Sequence, residues 1–207
     1  EQINIDNNGD IIIGGFFSSN SINLGSGIIL NITGSSADLF IVKYSQSGIP
    51  IWAKSFGGND DDNDIDFKVN NLNEIYVCGS FLSSTYSIGS DNYTNLGFED
   101  FVIFKLTDLG VPIWSIQNGS NLEDDASTIS ITSQDEIYVT GLFNSSVLNF
   151  NSSSNLNSGG YDLFITKLNE NANNIYLLEQ FQPLKIFPNP IDEWINIYLT
   201  EGAQELC

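Results

Sequence analysis

The chain has 207 residues, with 26 acidic against six basic side chains and a formal net charge of −20. We therefore expect neither nucleic acid nor an anionic membrane surface as a partner, because both bind through a basic patch on the protein. The sequence has no histidine and no apolar run near the roughly 20 residues of a membrane span. Histidine-based catalysis and membrane insertion are not expected either.

A repeat with a spacing of about 62 residues dominates the chain. One strand-like segment is Ile11–Phe17, which returns as Ile75–Phe81 and Ile137–Phe143. The next along the chain is Asp38–Lys43, which returns 62 residues later as Asp100–Lys105 and again as Asp162–Lys167. It is followed by Ile49–Trp52, matched by Val111–Trp114 and, more loosely, by Asn173–Tyr176. A fixed period of this length is typical of stacked structural units.

Each repeat is predicted to contain four short strands. The segments are rich in Ile, Val, Phe and Tyr and are bounded by Gly, Asn, Asp and Ser, which is strand chemistry interrupted by turns. Acidic stretches and short apolar alternations, such as Asp66–Val69, precede the second and third repeats and supply the first strand. A polar, glycine-rich excursion separates the second and third strands. Four antiparallel strands per repeat predict an all-β protein of β-propeller-like blades.

The predicted domain organisation is three blades, at about 1–57, 58–119 and 120–182, followed by a separate segment at 183–207. Three blades are too few to close a ring, and the chain starts without Met inside an apparent strand. We therefore expect a fragment of a larger propeller. An open three-blade stack with exposed apolar end faces is the alternative.

The repeat resembles the secreted bacterial β-propeller repeat family. The resemblance rests on Ile137–Gly141, which reads IYVTG, on Asp38–Lys43, which fits D-x-F-x-x-K, and on Trp52–Gly58, which fits WA-x-x-FGG. It covers about residues 1–182 and implies the propeller fold. It says little about a ligand.

The C-terminal segment resembles the opening of the type A sorting domain of the type IX secretion system. The match is Phe187, Pro188, Asn189 and Pro190, followed by the alternating segment Ile195–Leu199, which would be the first strand of a β-sandwich. This resemblance implies export by the type IX machinery of a Bacteroidota-type bacterium to the cell surface or the medium. The alternative is an ordinary linker with an edge strand that caps the last blade.

One metal site is a candidate. Asp62, Asp64 and Asp66 have the alternate spacing of a calcium-binding loop, in which several hard oxygen ligands converge on one cation. The turn glycine and the distal glutamate of an EF-hand are absent, so a solvated turn between blades is the competing interpretation. Apart from this possible calcium, no cofactor is expected.

Other repeated residues are predicted to be structural. Each repeat Asp should cap its own turn, while each repeat Lys should meet a carboxylate or carbonyl of the adjacent blade. Trp52, Trp114 and Tyr176 share one repeat position and should pack between blades. Cys78 should be a small buried side chain, and the segment 144–158 a surface loop or a weakly paired hairpin.

The predicted function is a binding or adhesion module on a secreted or cell-surface protein. No catalytic residue stands out, since no nucleophile turn and no distinct carboxylate pair are present. Its ligand would be an extracellular glycan or protein. Loops on the rigid scaffold would present the groups that contact this ligand. The alternatives are the non-catalytic part of an extracellular, glycan-degrading enzyme and a structural spacer.

Overall fold

The protein is all-β and built from propeller-like blades, which confirms the predicted fold class. The computed structural model describes residues 1–34, 36–150, 153–171 and 174–178, and these residues form strands and turns without a helix. None of the described residues belongs to a helix that could span a membrane. Each repeat forms one four-stranded antiparallel sheet and one separate two-stranded hairpin.

The strands follow one order in all three blades. Blade 1 comprises β1 Gln2–Ile5, β2 Ile11–Phe17, the hairpin β3 Ser21–Asn23 and β4 Ile29–Asn31, then β5 Asp38–Tyr44 and β6 Pro50–Phe56. Blade 2 comprises β7 Ile65–Val69, β8 Ile75–Phe81, the hairpin β9 Thr85–Ile88 and β10 Asp91–Thr94, then β11 Asp100–Leu106 and β12 Pro112–Asn118. Blade 3 comprises β13 Asp124–Ile131, β14 Ile137–Phe143, the hairpin β15 Val147–Phe150 and β16 Ser153–Leu156, then β17 Asp162–Asn171 and β18 Asn174–Leu178. The sheet orders are β1-β2-β5-β6, β7-β8-β11-β12 and β13-β14-β17-β18.

Burial explains which segments become central strands. In blade 2, β8 and β11 are buried along their whole length, as their continuous apolar sequences require. The fourth strand is an edge strand, and in blades 1 and 2 it begins with Pro50 and Pro112. Proline has no backbone N–H to donate to a sheet, so it is tolerated at the start of an edge strand.

The polar excursion predicted between the second and third strands is a hairpin in every blade. In blade 3, Val147 pairs with Leu156 and Phe150 with Ser153, so the segment 144–158 contains a paired hairpin rather than an open loop. Each hairpin emerges where the second strand ends, at Phe17, Phe81 or Phe143. We call this end of the blades the hairpin end and the opposite end, with its tight turns, the turn end.

Two apolar clusters join the blades. One contains Ile12 and Leu39 of blade 1 together with Phe67, Val77 and further side chains of blade 2. The other joins blade 2 to blade 3 and contains, among others, Tyr76, Cys78, Phe101, Ile103, Ile129, Val139 and Phe164. The first strands β1, β7 and β13 contact one another in sequence, as neighbouring blades of a propeller do.

The predicted C-terminal segment lies outside the described residues. This applies to Phe187, Pro188, Asn189 and Pro190 of the proposed sorting motif. The three sheets fall within the predicted units 1–57, 58–119 and 120–182. Cys78 is buried and is a free thiol.

Candidate functional site

The carboxylates at the hairpin end form a repeated arrangement at the junctions between blades. Asp38 and Asp100 begin the third strands of blades 1 and 2, and both are fully buried. Oδ2 of Asp38 accepts a hydrogen bond of 2.6 Å from the Thr33 backbone N–H, and Oδ2 of Asp100 accepts one of 2.7 Å from Leu96. Asp162 does the same with Ser158 at 2.5 Å. Each Asp therefore caps the turn before its own strand, which confirms that prediction.

A second carboxylate lies at each junction. Oδ2 of Asp62 accepts a bond of 2.7 Å from the Ser83 hydroxyl and one of 2.8 Å from the Gly58 backbone N–H. At the next junction, 62 residues later, Oδ2 of Asp124 accepts bonds of 2.7 Å from the Ser145 hydroxyl and the Ser120 backbone N–H. All four of these Asp and Ser residues are fully buried. The bond between Asp62 and Ser83 is therefore one copy of a repeated structural contact. It links the segment that connects two blades to the start of a hairpin.

The three carboxylates proposed as calcium ligands do not gather around one point. Asp62 bonds to Ser83 and Gly58, as above. Asp66 lies on β7, where its Oδ1 atom is 2.9 Å from Nζ of Lys68 and its Oδ2 atom accepts a bond of 3.0 Å from the Ile129 backbone N–H. Asp64 takes a left-handed backbone conformation, with φ at 41°. Within the described ranges there is no group of three or more His, Cys, Asp or Glu residues that could hold a metal ion.

Burial raises the affinity of these carboxyl groups for protons. It raises the pKa of Asp62 to about 6, and the charge of Asp38 adds to the rise, while the bonds from Ser83 and Gly58 oppose it. Burial raises the pKa of Asp100 to about 6 as well, with a contribution from Asp124. The pKa of Glu99 rises to about 7 through burial and the surrounding carboxylates. Burial and neighbouring carboxylates therefore favour the neutral, protonated form of these carboxyl groups.

One oxygen of Asp38 and one oxygen of Asp100 each face a glycine. Oδ1 of Asp38 lies where a Cβ atom on Gly57 would stand, and Oδ1 of Asp100 occupies the same place beside Gly119. Neither oxygen has a hydrogen-bond partner among the described residues. Glycine is required at both positions because a side chain there would overlap the carboxylate.

The three repeat lysines lie at the turn end and pair with acids. Nζ of Lys105 is 2.8 Å from Oε2 of Glu74, and Nζ of Lys167 is 2.5 Å from Oε1 of Glu136. Both of these acids belong to the blade of the lysine, and the predicted contact with a carboxylate or carbonyl of the adjacent blade is seen at Lys43. Lys43 differs, because Nζ contacts Asp108 of blade 2 and also lies 2.7 Å from Asp6. The three lysines therefore lie at the turn end of the blades, whereas the junction carboxylates lie at the hairpin end.

Trp52 packs between blades, as predicted. Its indole Nε1–H donates a 3.0 Å bond to the Asp108 carbonyl, and its ring lies against Gly110 of blade 2. The Trp114 ring packs edge-on against Tyr76, with ring centroids 6.1 Å apart. The side chain of Tyr176 lies outside the described part of the chain.

The hairpins of blades 2 and 3 bury alternate side chains of their first strand and expose the others. On β9, Tyr86 and Ile88 are buried in the cluster between blades 1 and 2, whereas Thr85 and Ser87 are exposed. The Ser87 hydroxyl bonds to Oδ1 of Asn92 across the hairpin at 2.8 Å, on the exposed face. The buried face attaches the hairpin to the core, so the polar face is held in a defined position.

The second carboxylate of each junction was not predicted from the sequence. Asp62 was interpreted together with its neighbours Asp64 and Asp66, although its repeat equivalent is Asp124. The available signal was the shared spacing of 62 residues, which separates Asp62 from Asp124 and Ser83 from Ser145. A repeated pair is more informative about structure than a single acidic run.

The fold and the junctions define a repeat protein of the β-propeller type, and a comparison with known proteins agrees with this class. No family model matches the chain. The chain is 26% identical over 197 residues to the uncharacterized WD repeat-containing protein L264 of Acanthamoeba polyphaga mimivirus. WD repeats form four-stranded propeller blades. The match covers 85% of this chain but only 14% of that relative, so the chain spans a small part of the relative's length.

Proposed function

We propose that this chain is a non-catalytic binding module whose hairpins present polar groups to an extracellular protein. The observation that carries the proposal is the hairpin inserted at the same place in each blade, which in blades 2 and 3 has one face buried in the core. A rigid scaffold that positions exposed segments is a common way for a protein to form a binding surface.

The burial of the carboxylates supports a role without catalysis. Asp38, Asp62, Asp100 and Asp124 are fully buried and bonded to backbone N–H groups or serine hydroxyls. A general acid or base has to come within hydrogen-bond distance of its substrate, which these side chains cannot do without opening a junction.

Binding is tested with the purified chain against a panel of extracellular matrix proteins and an array of glycans. We expect saturable binding to at least one protein, and Ser87→Ala together with Asn92→Ala should weaken it at least tenfold. Ser47→Ala is the matched control, because the Ser47 hydroxyl is exposed and bonded to Ser45 at 2.9 Å in a turn at the opposite end. Binding to glycans alone, or turnover of any glycan by the chain, would contradict the proposal.

We further propose that the protein is exported by the type IX secretion system and acts at the cell surface or in the medium. The support is the sequence match at Phe187, Pro188, Asn189 and Pro190, directly after propeller-type repeats. The test is expression of the full-length protein in a bacterium with this system. Replacement of Pro188 and Pro190 by Ala should retain the protein inside the cell, whereas unchanged export would exclude the motif as the signal.

A further inference from the structure

Two loops at the hairpin end of the junction between blades 2 and 3 expose three large apolar side chains. Leu96 and Phe98 lie between the hairpin of blade 2 and β11, and they are 62% and 57% exposed. Leu122 lies in the segment before β13 and is 42% exposed. We call these three residues the apolar patch.

Backbone hydrogen bonds hold the two loops against each other. The Phe98 N–H donates a bond of 3.2 Å to the Leu122 carbonyl, and the Asp124 N–H donates one of 2.9 Å to the Glu99 carbonyl. The Leu122 N–H donates a bond of 2.9 Å to the hydroxyl oxygen of Ser145, next to the hairpin of blade 3. The apolar patch is therefore grouped and held in place. Exposed apolar side chains that are grouped, rather than scattered singly, mark interaction sites.

The apolar patch does not follow the repeat. The residues 62 positions before Phe98 and Leu122 are Ser36 and Asp60, which are polar. The buried contacts between Asp and Ser side chains, by contrast, are present at both junctions. The junction between blades 1 and 2 thus forms without apolar side chains at these positions. The fold does not require Phe98 and Leu122, so their exposure calls for a different explanation.

Acidic side chains surround the apolar patch. Glu99 directly follows Phe98, and Glu123 directly follows Leu122. Burial raises the pKa of Glu99 to about 7, and the charge of Asp125 adds to the rise. The described ion pairs of the lysines are made with other acids. We call Glu99, Glu123 and Asp125 the acidic rim. A surface of this kind attracts cationic groups.

We propose that the apolar patch and the acidic rim bind a basic, amphipathic segment of a partner protein, in which lysine or arginine stands beside apolar side chains. The apolar side chains of the segment cover the apolar patch, and its cations pair with the acidic rim. Charge complementarity selects this occupant. A second copy of this chain is disfavoured, because each copy carries a net charge of −20. The inference rests on the proposed role in protein binding and adds the chemistry of the partner.

Fluorescence anisotropy of labelled peptides with the full chain tests the inference. The probe is a synthetic peptide that combines lysine with leucine and phenylalanine. One comparison peptide has glutamate in place of lysine, and the other has serine in place of the apolar residues. We expect the probe to bind at least tenfold more tightly than either comparison peptide. Its binding should weaken as salt is added, because salt screens the attraction between the lysines and the acidic rim.

Substitutions separate binding at the apolar patch from general attraction to an acidic protein. Phe98→Ser introduces the residue that the preceding repeat has at this position, and it should weaken binding of the probe at least tenfold. Glu123→Gln should weaken it at least threefold. The matched controls are Leu72→Ser and Asp135→Asn, because both side chains are exposed in turns at the turn end. They should leave binding unchanged. Circular dichroism checks that all variants remain folded.

Absence of probe binding overturns the inference. Equal binding of the lysine–serine peptide also overturns it, as does unchanged binding by Phe98→Ser and Glu123→Gln. The panel of extracellular matrix proteins is a separate measurement. A protein whose binding is weakened by Ser87→Ala with Asn92→Ala but is unaffected by Phe98→Ser would leave the proposed function in place and contradict only the inference about the apolar patch.

Discussion

The hydroxyl of Ser145 donates a hydrogen bond of 2.7 Å to Oδ2 of Asp124, and both residues are fully buried. Ser83 and Asp62 make the same contact 62 residues earlier. Each contact connects the segment that enters a blade to the start of that blade's hairpin. It therefore adds a buried side-chain link between these two parts of the repeat.

Removing the hydroxyl should destabilise the protein. We expect Ser145→Ala to lower the free energy of unfolding by roughly 1–3 kcal/mol, because a buried carboxylate loses a hydrogen-bond donor. Ser87→Ala, which removes an exposed hydroxyl from a hairpin, should change it by less than about 0.5 kcal/mol. Urea unfolding followed by tryptophan fluorescence measures both. Equal effects of the two variants would show that the buried contact contributes nothing.

The protein should be most stable at mildly acidic pH. The pKa of Asp62 and of Asp100 rises to about 6 in the folded state and that of Glu99 to about 7. The folded state therefore binds more protons than the unfolded state between about pH 4 and pH 7, and stability falls as the pH rises through this window, by roughly 1.4 kcal/mol for each unit of pKa shift. Above about pH 8 this loss is complete.

Thermal unfolding between pH 4 and pH 8 measures this dependence. The melting temperature should decrease from pH 5 to pH 7 and then level off. Glu99→Gln should flatten the upper part of the curve, because that side chain no longer titrates. A melting temperature that rises between pH 5 and pH 7 would be inconsistent with the raised pKa values.

A side chain at Gly57 should conflict with Asp38. Gly57→Ala places a methyl group where Oδ1 of Asp38 lies, and we expect a loss of about 1–3 kcal/mol from overpacking. The conflict disappears if the carboxylate is removed. In an Asp38→Ala background the same Gly57→Ala change should therefore cost at least about 1 kcal/mol less. Chemical unfolding of the four proteins of this cycle measures the coupling, and additive effects would contradict the contact.

The Lys105 ion pair should contribute to stability at the turn end. Lys105 is buried and lies 2.8 Å from Glu74, with Nζ 4.8 Å from the centre of the Tyr76 ring. Lys105→Met should destabilise the protein by roughly 1–3 kcal/mol, because Glu74 loses its counter-charge in a partly buried site. Lys54→Met removes the same charge from an exposed position and serves as control. A similar melting temperature for both variants would refute the prediction.

Much of the fold follows from sequence pattern. The 62-residue period predicts three equal units, the apolar segments predict four strands in each, and the polar excursion falls where the structure has a hairpin. Period and polarity are local properties of the chain, and strands with two buried faces have few other ways to pack. The capping role of Asp38, Asp100 and Asp162 was also predictable, because it depends only on the turn that precedes each residue.

The partners of charged residues were decided by the tertiary structure. Lys105 lies opposite Tyr76 in the register of β8 and β11, which brings it to Glu74 just before β8. Asp62 bonds across to Ser83, although its sequence spacing made a joint site with Asp64 and Asp66 a candidate. Sequence spacing gives the order of side chains along one strand. It does not show which other strand or hairpin packs against them. The sequence alone therefore determined the repeat and its strands, and only the packing of blade on blade decided which carboxylates are buried and what they bond to.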